Sequence, residues 1–410
     1  MIPTAILRPS VKPNPMWHQL SLFDRKGWTR MAFGDFVQSI GDRAEPKDAQ
    51  EEIYVGLEHL DPQCLHIRRW GKGSDVIGGK LRFSKGDIIF GKRLAYQRKL
   101  AVAEFGGICS AHALVIRARP DKVLPEFLPF LMMSDRFMNR AVEISVGSLS
   151  PTINWTTLKL ETFDLPPLKQ QRRIAEILWA IDEVIIACDE LEASILNARD
   201  TFFDDELRKG QSQSSETLQT LGRALARIVA GKSPKASSEP ASNDEYGVLK
   251  VSAAGDGRYV ETENKALLSA DDFDASLEVK PGMILVTRCN AVLSGIGRAC
   301  IVESTRAGLM LSDKTLQLVP KEDETDTAFL LQGLRSQPYR GFVERSANGT
   351  EAKNVSQETL KACPFWLPPI AVQRRVSIRL SEFVRAANAA TLNMRNQMLT
   401  RTAITNTIFS

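Results

Sequence analysis

The segment Leu165-Pro166-Pro167-Leu168-Lys169-Gln170-Gln171-Arg172-Arg173 returns 202 residues later as Leu367-Pro368-Pro369-Ile370-Ala371-Val372-Gln373-Arg374-Arg375. Six of the nine positions are identical and a seventh is a Leu/Ile exchange. Each copy closes a mixed segment of about 160 residues and opens a stretch with helical periodicity. The chain therefore has to fold as two copies of one unit, a globular part and then a helix. Such a duplicated unit suits a target that is itself in two parts.

The globular parts echo each other in order. In the first, strands are expected at Glu52–Glu58, Asp87–Phe90 and His112–Arg117, and one helix from Pro125 through Arg140. In the second, Leu221-Gly222 echoes Phe33-Gly34, and Tyr246–Val251 echoes Tyr54–His59. Val279–Val286 echoes Phe83–Phe90, with Lys280-Pro281-Gly282 answering Ser84-Lys85-Gly86 as a turn. Ala347-Asn348-Gly349-Thr350 echoes Ser145-Val146-Gly147-Ser148, a loop that runs on to Pro151. The offset drifts from 188 to 202, and the resemblance is strongest at turns and ends. One scaffold with two divergent faces fits this.

After Gln170, apolar residues fall at Ile174, Ile177, Ile181, Val184, Cys188, Leu191, Ile195, Ala198 and Phe202, the alternating 3–4 spacing of a coiled coil. Leu178 and Ile185 widen the stripe, and a helix ending near Lys209-Gly210 is expected, followed by a polar linker, Gln211–Ser215. The second helix carries Val376, Leu380, Phe383, Ala387, Ala390 and Met394, then weakens at Gln397 and Arg401 before Ile404. Net charge is +5 over 1–165, −4 over 166–210, −2 over 211–366 and +5 over 367–410. The opposite signs of the helices favour an intramolecular antiparallel pair over a dimerisation coil. The expected fold is α/β (mixed α+β), with globular domains at 1–165 and 211–366. They are joined and separated by two long antiparallel coiled-coil helices at 166–210 and 367–410, in a pseudo-twofold internal repeat.

Several chemistries find no support. Leu165-Pro166-Pro167-Leu168 and its copy lack the leading Asn/Asp and the aromatic residue of an amino-methyltransferase motif. Gly71-Lys72-Gly73, Gly255-Asp256-Gly257 and Gly295-Ile296-Gly297 are single GxG tripeptides without a third glycine. Gly231-Lys232-Ser233 resembles the end of a phosphate loop, yet Ala226 stands where its first glycine is needed and Pro234 follows. Asp271, Asp272, Asp274 and Glu278-Val279-Lys280 form a nuclease-like pattern that Pro281 turns into a bend. Six cysteines without a CxxC and four scattered histidines make a poor metal site; Cys109 and His112 could sit near one another, but two ligands do not make a zinc site. The proline-rich start, Met1–Pro15, has no apolar core of a signal peptide, and no apolar run is long enough to span a bilayer. A cytoplasmic, non-catalytic protein with no cofactor or metal of its own is expected.

The remaining polar signals suit nucleic acid. Lys92, Arg93, Tyr96, Arg98 and Lys99 follow the strand Asp87–Phe90, offering forked base-edge donors beside phosphate-binding ammonium groups. Arg68, Arg69 and Lys72 form a second cluster around Trp70. In the second copy the corresponding strand end leads to Arg288 and Asn290, with Arg298 and Lys314 nearby. An Arg just past the same strand in both copies is the expected correspondence. The second globular part is slightly acidic, so its contacts must be local.

Two divergent units, each followed by Leu-Pro-Pro-(Leu/Ile)-x-x-Gln-Arg-Arg and a long helix, resemble the specificity subunits of type I restriction–modification enzymes. The Tyr-Val-Gly-Leu-Glu strand at 54–58, the Lys-Gly-Asp-Ile-Ile-Phe element at 85–90 and the Gly147-Ser148 loop extend the resemblance. The chain departs from the family at Gln170 and Val372, where Glu is usual, and in its second Tyr-Gly-Val-Leu-Lys strand. The resemblance implies two target recognition domains, each reading one half of a bipartite duplex DNA site, with the helices as a ruler. It implies two docked modification subunits bringing S-adenosylmethionine, and restriction–translocation subunits bringing ATP and Mg. Pro166, Pro167, Gln171, Pro368, Pro369 and Gln373 are then the joints, and Leu178 and Ile185 the expected contacts for modification subunits. A coiled-coil scaffold that reads no DNA is the alternative.

Overall fold

The computed structural model describes residues 20–147, 150–213, 218–255, 257–349 and 353–410. The chain forms two compact units, one of residues up to Asp189 with Thr391–Ser410, the other Glu190–Ala390. Each long helix contributes residues to both units. The expected lead-in Met1–Pro15, Ser148, Asp256, Thr350 and the linker residues Ser214-Ser215 lie outside the described residues.

The first unit contains β1 (Thr29–Ala32), α1 (Phe33–Phe36), β2 (Val37–Ile40), β3 (Ile88–Gly91), β4 (Leu100–Val102) and β5 (Ala113–Ala118). Then come α2 (Leu128–Met133), α3 (Asp135–Glu143), α4 (Trp155–Leu158), β6 (Thr162–Leu165) and the start of α5 (Leu168–Gln213). The second unit repeats the list as β7 (Leu218–Thr220), α6 (Leu221–Ala224), β8 (Leu225–Ala230), β9 (Ile284–Thr287), β10 (Ala299–Ile301) and β11 (Thr315–Pro320). Its later elements are α7 (Thr327–Gly333), α8 (Gln337–Ser346), α9 (Gln357–Lys361), β12 (Pro364–Trp366) and the start of α10 (Ile370–Phe409).

The main sheet runs β2-β5-β3-β4 in one unit and β8-β11-β9-β10 in the other, antiparallel throughout. Register repeats too: Ile88 faces Ile116, and Ile284 faces Leu318. β3 and β9 are central and wholly buried, which suits Ile-Ile-Phe-Gly and Ile-Leu-Val-Thr. The turns ahead of them use Gly86 at φ 91° and Gly282 at φ 88°, a left-handed conformation that glycine adopts freely. Their N–H groups donate to Ala103 and Val302, both at 2.8 Å. A smaller sheet in each unit holds one parallel pair: 53–55 with 107–109, and 247–249 with 309–310.

Gly34 and Gly222 allow another shared contact. A Cβ on either would lie 3.0 or 3.1 Å from the Cβ of Lys159 or Lys361, so a side chain at either position would crowd α1 or α6 against that lysine.

Three sequence expectations change. The helix expected over Pro125–Arg140 is two helices, because Ser134 leaves helical geometry and its hydroxyl caps α3 by accepting from Phe137 N–H at 3.2 Å. α5 continues through Gly210 to Gln213. The buried line of α5 in the first unit is Gln171, Ile174, Leu178, Asp182, Ile185 and Cys188, whereas Val184 and Leu191 are exposed. Leu178 is fully buried in the core of the first unit, and Ile185 is 6% exposed. Neither offers surface to a partner: both are packing residues. The alternating pattern of α10 holds better, with Val376, Leu380, Ala387 and Ala390 buried.

Candidate nucleic-acid interface and helix joints

In each unit a glutamine locks the helix to the globular part. Gln171 Oε1 accepts from Leu124 N–H at 2.8 Å, and its Nε2 donates to Lys122 and Pro166 carbonyls at 3.0 and 2.9 Å. Gln373 Oε1 accepts from Asp326 N–H at 2.9 Å, and its Nε2 donates to Glu324 and Pro368 carbonyls at 3.0 and 2.7 Å. Both side chains are buried, so the three bonds satisfy groups that would otherwise lose water without return. Pro166 and Pro368 are buried beside them, and Pro167 and Pro369 are exposed at the first turn of each helix. The motif at 165–173 and 367–375 is thus a bracket built twice.

The helices pair antiparallel inside each unit. In the first, Asn393 Nδ2 donates to Cys188 Sγ at 3.4 Å, and Arg401 reaches back to Asp182. Asp182 also meets His66 Nε2 at 2.7 Å, and His66 Nδ1 lies 2.5 Å from Glu104. Burial pulls Arg401 down to about 10, still protonated at neutral pH. In the second unit, Phe202 packs on Phe383, and Phe203, Val376 and Leu380 share a core with Phe329 and Trp366.

The basic residues divide by what they already hold. Arg68 binds Asp189 of α5 at 2.8 Å, and Arg69 binds Asp61. Arg98 sits at φ 55° with its guanidinium on Asp135 at 2.6 Å and the Met133 carbonyl at 2.8 Å. Lys99 donates to the Leu57 carbonyl at 2.8 Å, and Arg298 to that of Ser294 at 2.8 Å. Arg68, Arg98 and Lys99 are therefore each held by a partner of the first unit. Lys72 is exposed and 3.6 Å from Glu51; Lys314 and Tyr96 are exposed, and Lys92 is half-buried. Asn290 accepts from Val292 N–H at 3.0 Å in a local turn.

The strand ends correspond differently from the sequence expectation. Lys92 N–H donates to His112 and its carbonyl accepts from Ile153; Arg288 N–H donates to Lys314 and its carbonyl accepts from Val355. Arg288 is therefore the counterpart of Lys92, and Cys289 that of Arg93. Successive residues of an extended chain face opposite ways, so the one-residue shift exchanges the faces. Arg93 pairs with Thr152, which pairs with Val146; Cys289 pairs with Asn354, which pairs with Asn348. Thr152, Val146, Asn348 and Asn354 were not singled out from sequence as contacts, though the 202-residue offset relates them.

Other motifs resolve as structure. Lys232 binds Asp274 at 2.6 Å, so its ammonium neutralises a carboxylate of its own unit. Cys109 is buried and its thiol is pushed up to about 12 by that burial. Among the described residues no group of three or more His, Cys, Asp or Glu is placed to hold a metal. Among the described residues no helix is long and apolar enough to cross a membrane.

Residues 27–197 match the model of the type I restriction modification DNA specificity domain. Over that stretch, about two-fifths of its length, the chain is similar to type I restriction–modification specificity proteins. It is 34% identical over 171 residues to the EcoEI specificity subunit of Escherichia coli, covering 41% of this chain and 29% of that one. It is 23% identical over 383 residues to a putative MjaX specificity subunit of Methanocaldococcus jannaschii, covering 86% of each. The S subunit structure from M. genitalium aligns at 13% identity and TM-score 0.47, covering 96% of this chain and 98% of that one. The matched stretch spans well under half of the EcoEI and EcoDI relatives, 29% and 38%. The family match takes in the first unit's globular part and the Gln171 bracket; the Gln373 bracket lies beyond it.

Proposed function

We propose that this chain is the DNA-sequence specificity subunit of a type I restriction–modification complex. Its globular domains, 1–165 and 211–366, each read one half of a bipartite duplex site. Helices 166–210 and 367–410 set the unread spacing and dock two modification subunits. The observation that carries this reading is the doubled bracket under two equal sheets whose outer strand ends carry different side chains. The chain itself is non-catalytic. S-adenosylmethionine belongs to the modification subunits, and ATP with Mg to restriction–translocation subunits, all in the cytoplasm.

Among the named contacts, Arg93, Tyr96, Lys72, Arg69 and Lys314 keep exposed side chains that reach DNA. Lys92, Arg288, Asn290 and Arg298 line the strand ends behind them. The exposed prolines Pro167 and Pro369 are the joint residues within reach of a partner. Long-read sequencing of a host carrying functional modification subunits tests the reading. Adenine methylation at one two-part motif is expected with the gene and not without it. Identical methylomes would overturn the proposal.

A further inference from the structure

We infer that the three-residue row across each strand end chooses the bases: Arg93–Thr152–Val146 calls for guanine in one half-site, and Cys289–Asn354–Asn348 for adenine in the other. The inference rests on the DNA-reading function proposed above and names what each unit selects. Its basis is a contrast between constant and variable positions. The rows are built by the same bonds. Val146 and Thr152 exchange N–H···O bonds at 3.0 and 3.0 Å, and Asn348 and Asn354 exchange theirs at 3.0 and 2.8 Å. Gly147 after Val146 and Gly349 after Asn348 share a left-handed φ, 114° and 118°. Directly paired residues put their side chains on one face, so each row presents three adjacent side chains together.

The chemistry of the rows differs at every position. Arg93 is exposed, and Ser150 Oγ accepts from its Nε and Nη2 at 3.2 and 3.0 Å. That holds the guanidinium by its side edge and leaves the end-on N–H pair, which matches the two acceptors of guanine in the major groove. Val146, 68% exposed, offers an apolar surface suited to a thymine methyl. In the second unit the guanidinium is replaced by Cys289, and Asn348 and Asn354 are exposed beside it. Neither amide hydrogen-bonds another described residue. A carboxamide presents an N–H donor beside a carbonyl acceptor, the edge that matches adenine. The backbone is constant where it must hold position, and the side chains vary where they would touch a base.

The test uses the full chain assembled with its modification subunits, against a random duplex library. Wild-type complex should enrich a bipartite motif. Arg93→Lys keeps the charge and loses the fork; it should lose preference at one guanine by roughly 5- to 150-fold and leave the other half-site alone. Asn348→Ala and Asn354→Ala should relax adenine positions in that other half-site only. Unchanged motifs in all three variants, or equal weakening on every sequence, would overturn the inference while leaving DNA reading intact. Enrichment of no motif by the wild-type complex would instead overturn the proposed function. Equal melting temperatures of variants and wild type show that a lost preference is not a lost fold.

Discussion

The turn before the central strand is built alike in both units, yet it is held by opposite means. In the first, Asp87 is 1% exposed, accepts from Ser84 N–H at 2.7 Å and binds Arg117 through both oxygens at 2.6 and 2.9 Å. In the second, Met283 occupies that place, accepts weakly from Lys280 N–H through sulfur at 3.3 Å, and Val319 stands where Arg117 would be. The backbone bonds flanking both turns agree within 0.1 Å: Ala103 N–H to Asp87 at 2.8 Å and Val302 N–H to Met283 at 2.9 Å. A carboxylate–guanidinium pair in one unit, and apolar residues at both corresponding positions in the other, thus go with one backbone. Only Asp87 is buried, Arg117 being 41% exposed, so the cost of exchanging the pair falls mainly on the carboxylate.

The same contrast recurs where the helices dock, and there the largest effect is expected. The first unit buries Asp182 against Arg401; the second packs Phe203, Val376 and Leu380. Arg401→Ala leaves Asp182 buried opposite His66 without its guanidinium, costing about 3–5 kcal/mol by denaturant unfolding. Replacing both, Asp182→Leu with Arg401→Met, should recover most of that loss. If the double variant is as unstable as the single, charge in the first unit is not exchangeable for packing and the comparison breaks.

The brackets make the next test. Gln171→Ala and Gln373→Ala each strand one buried N–H and two carbonyls, and each should cost about 1–3 kcal/mol. Hydrogen exchange should show faster opening at Leu124 in one variant and Asp326 in the other. A difference between the two costs above about 1 kcal/mol would mean that the repeated motif no longer does the same work twice.

These residues also show how much the sequence disclosed. The duplicated joint, the order of elements and the glycine turns were legible because turn and joint chemistry is local. The buried line of α5 was not, since Gln171 and Asp182 occupy core positions and an apolar-only count slides past them onto Val184 and Leu191. Arg401 looked like the weak end of a stripe because a buried charge is invisible without its partner 219 residues away. The row at Arg93 was displaced by one residue for a similar reason: only pairing fixes which face a strand residue takes.

A smaller effect is expected at the turn itself. Asp87→Ala should cost about 1–3 kcal/mol by leaving Ser84 N–H unpaired, whereas Asp87→Met with Arg117→Val, the pair of the second unit, should stay within about 1 kcal/mol of wild type. A double variant no better than the single would show that the surroundings, not the pair, have diverged.

The smallest effect sharpens the contrast between buried and exposed charge. Asp274 and Lys232 repeat the chemistry of Asp182 and Arg401 at the surface, where water screens the pair. The Lys232 hydrogen bond, helped by Ser276, holds the Asp274 carboxyl down at about 2. A carboxylate depressed in the folded state adds stability above its unfolded value and loses that contribution as pH falls toward 2. Lys232→Ala should therefore move the Asp274 titration upward, read by carboxyl carbon NMR, and bring the acid loss of stability to higher pH. At neutral pH the melting temperature should barely change, unlike that of Arg401→Ala. A large neutral-pH loss in Lys232→Ala would show that this exposed pair behaves as the buried one does, and exposure would no longer explain the difference.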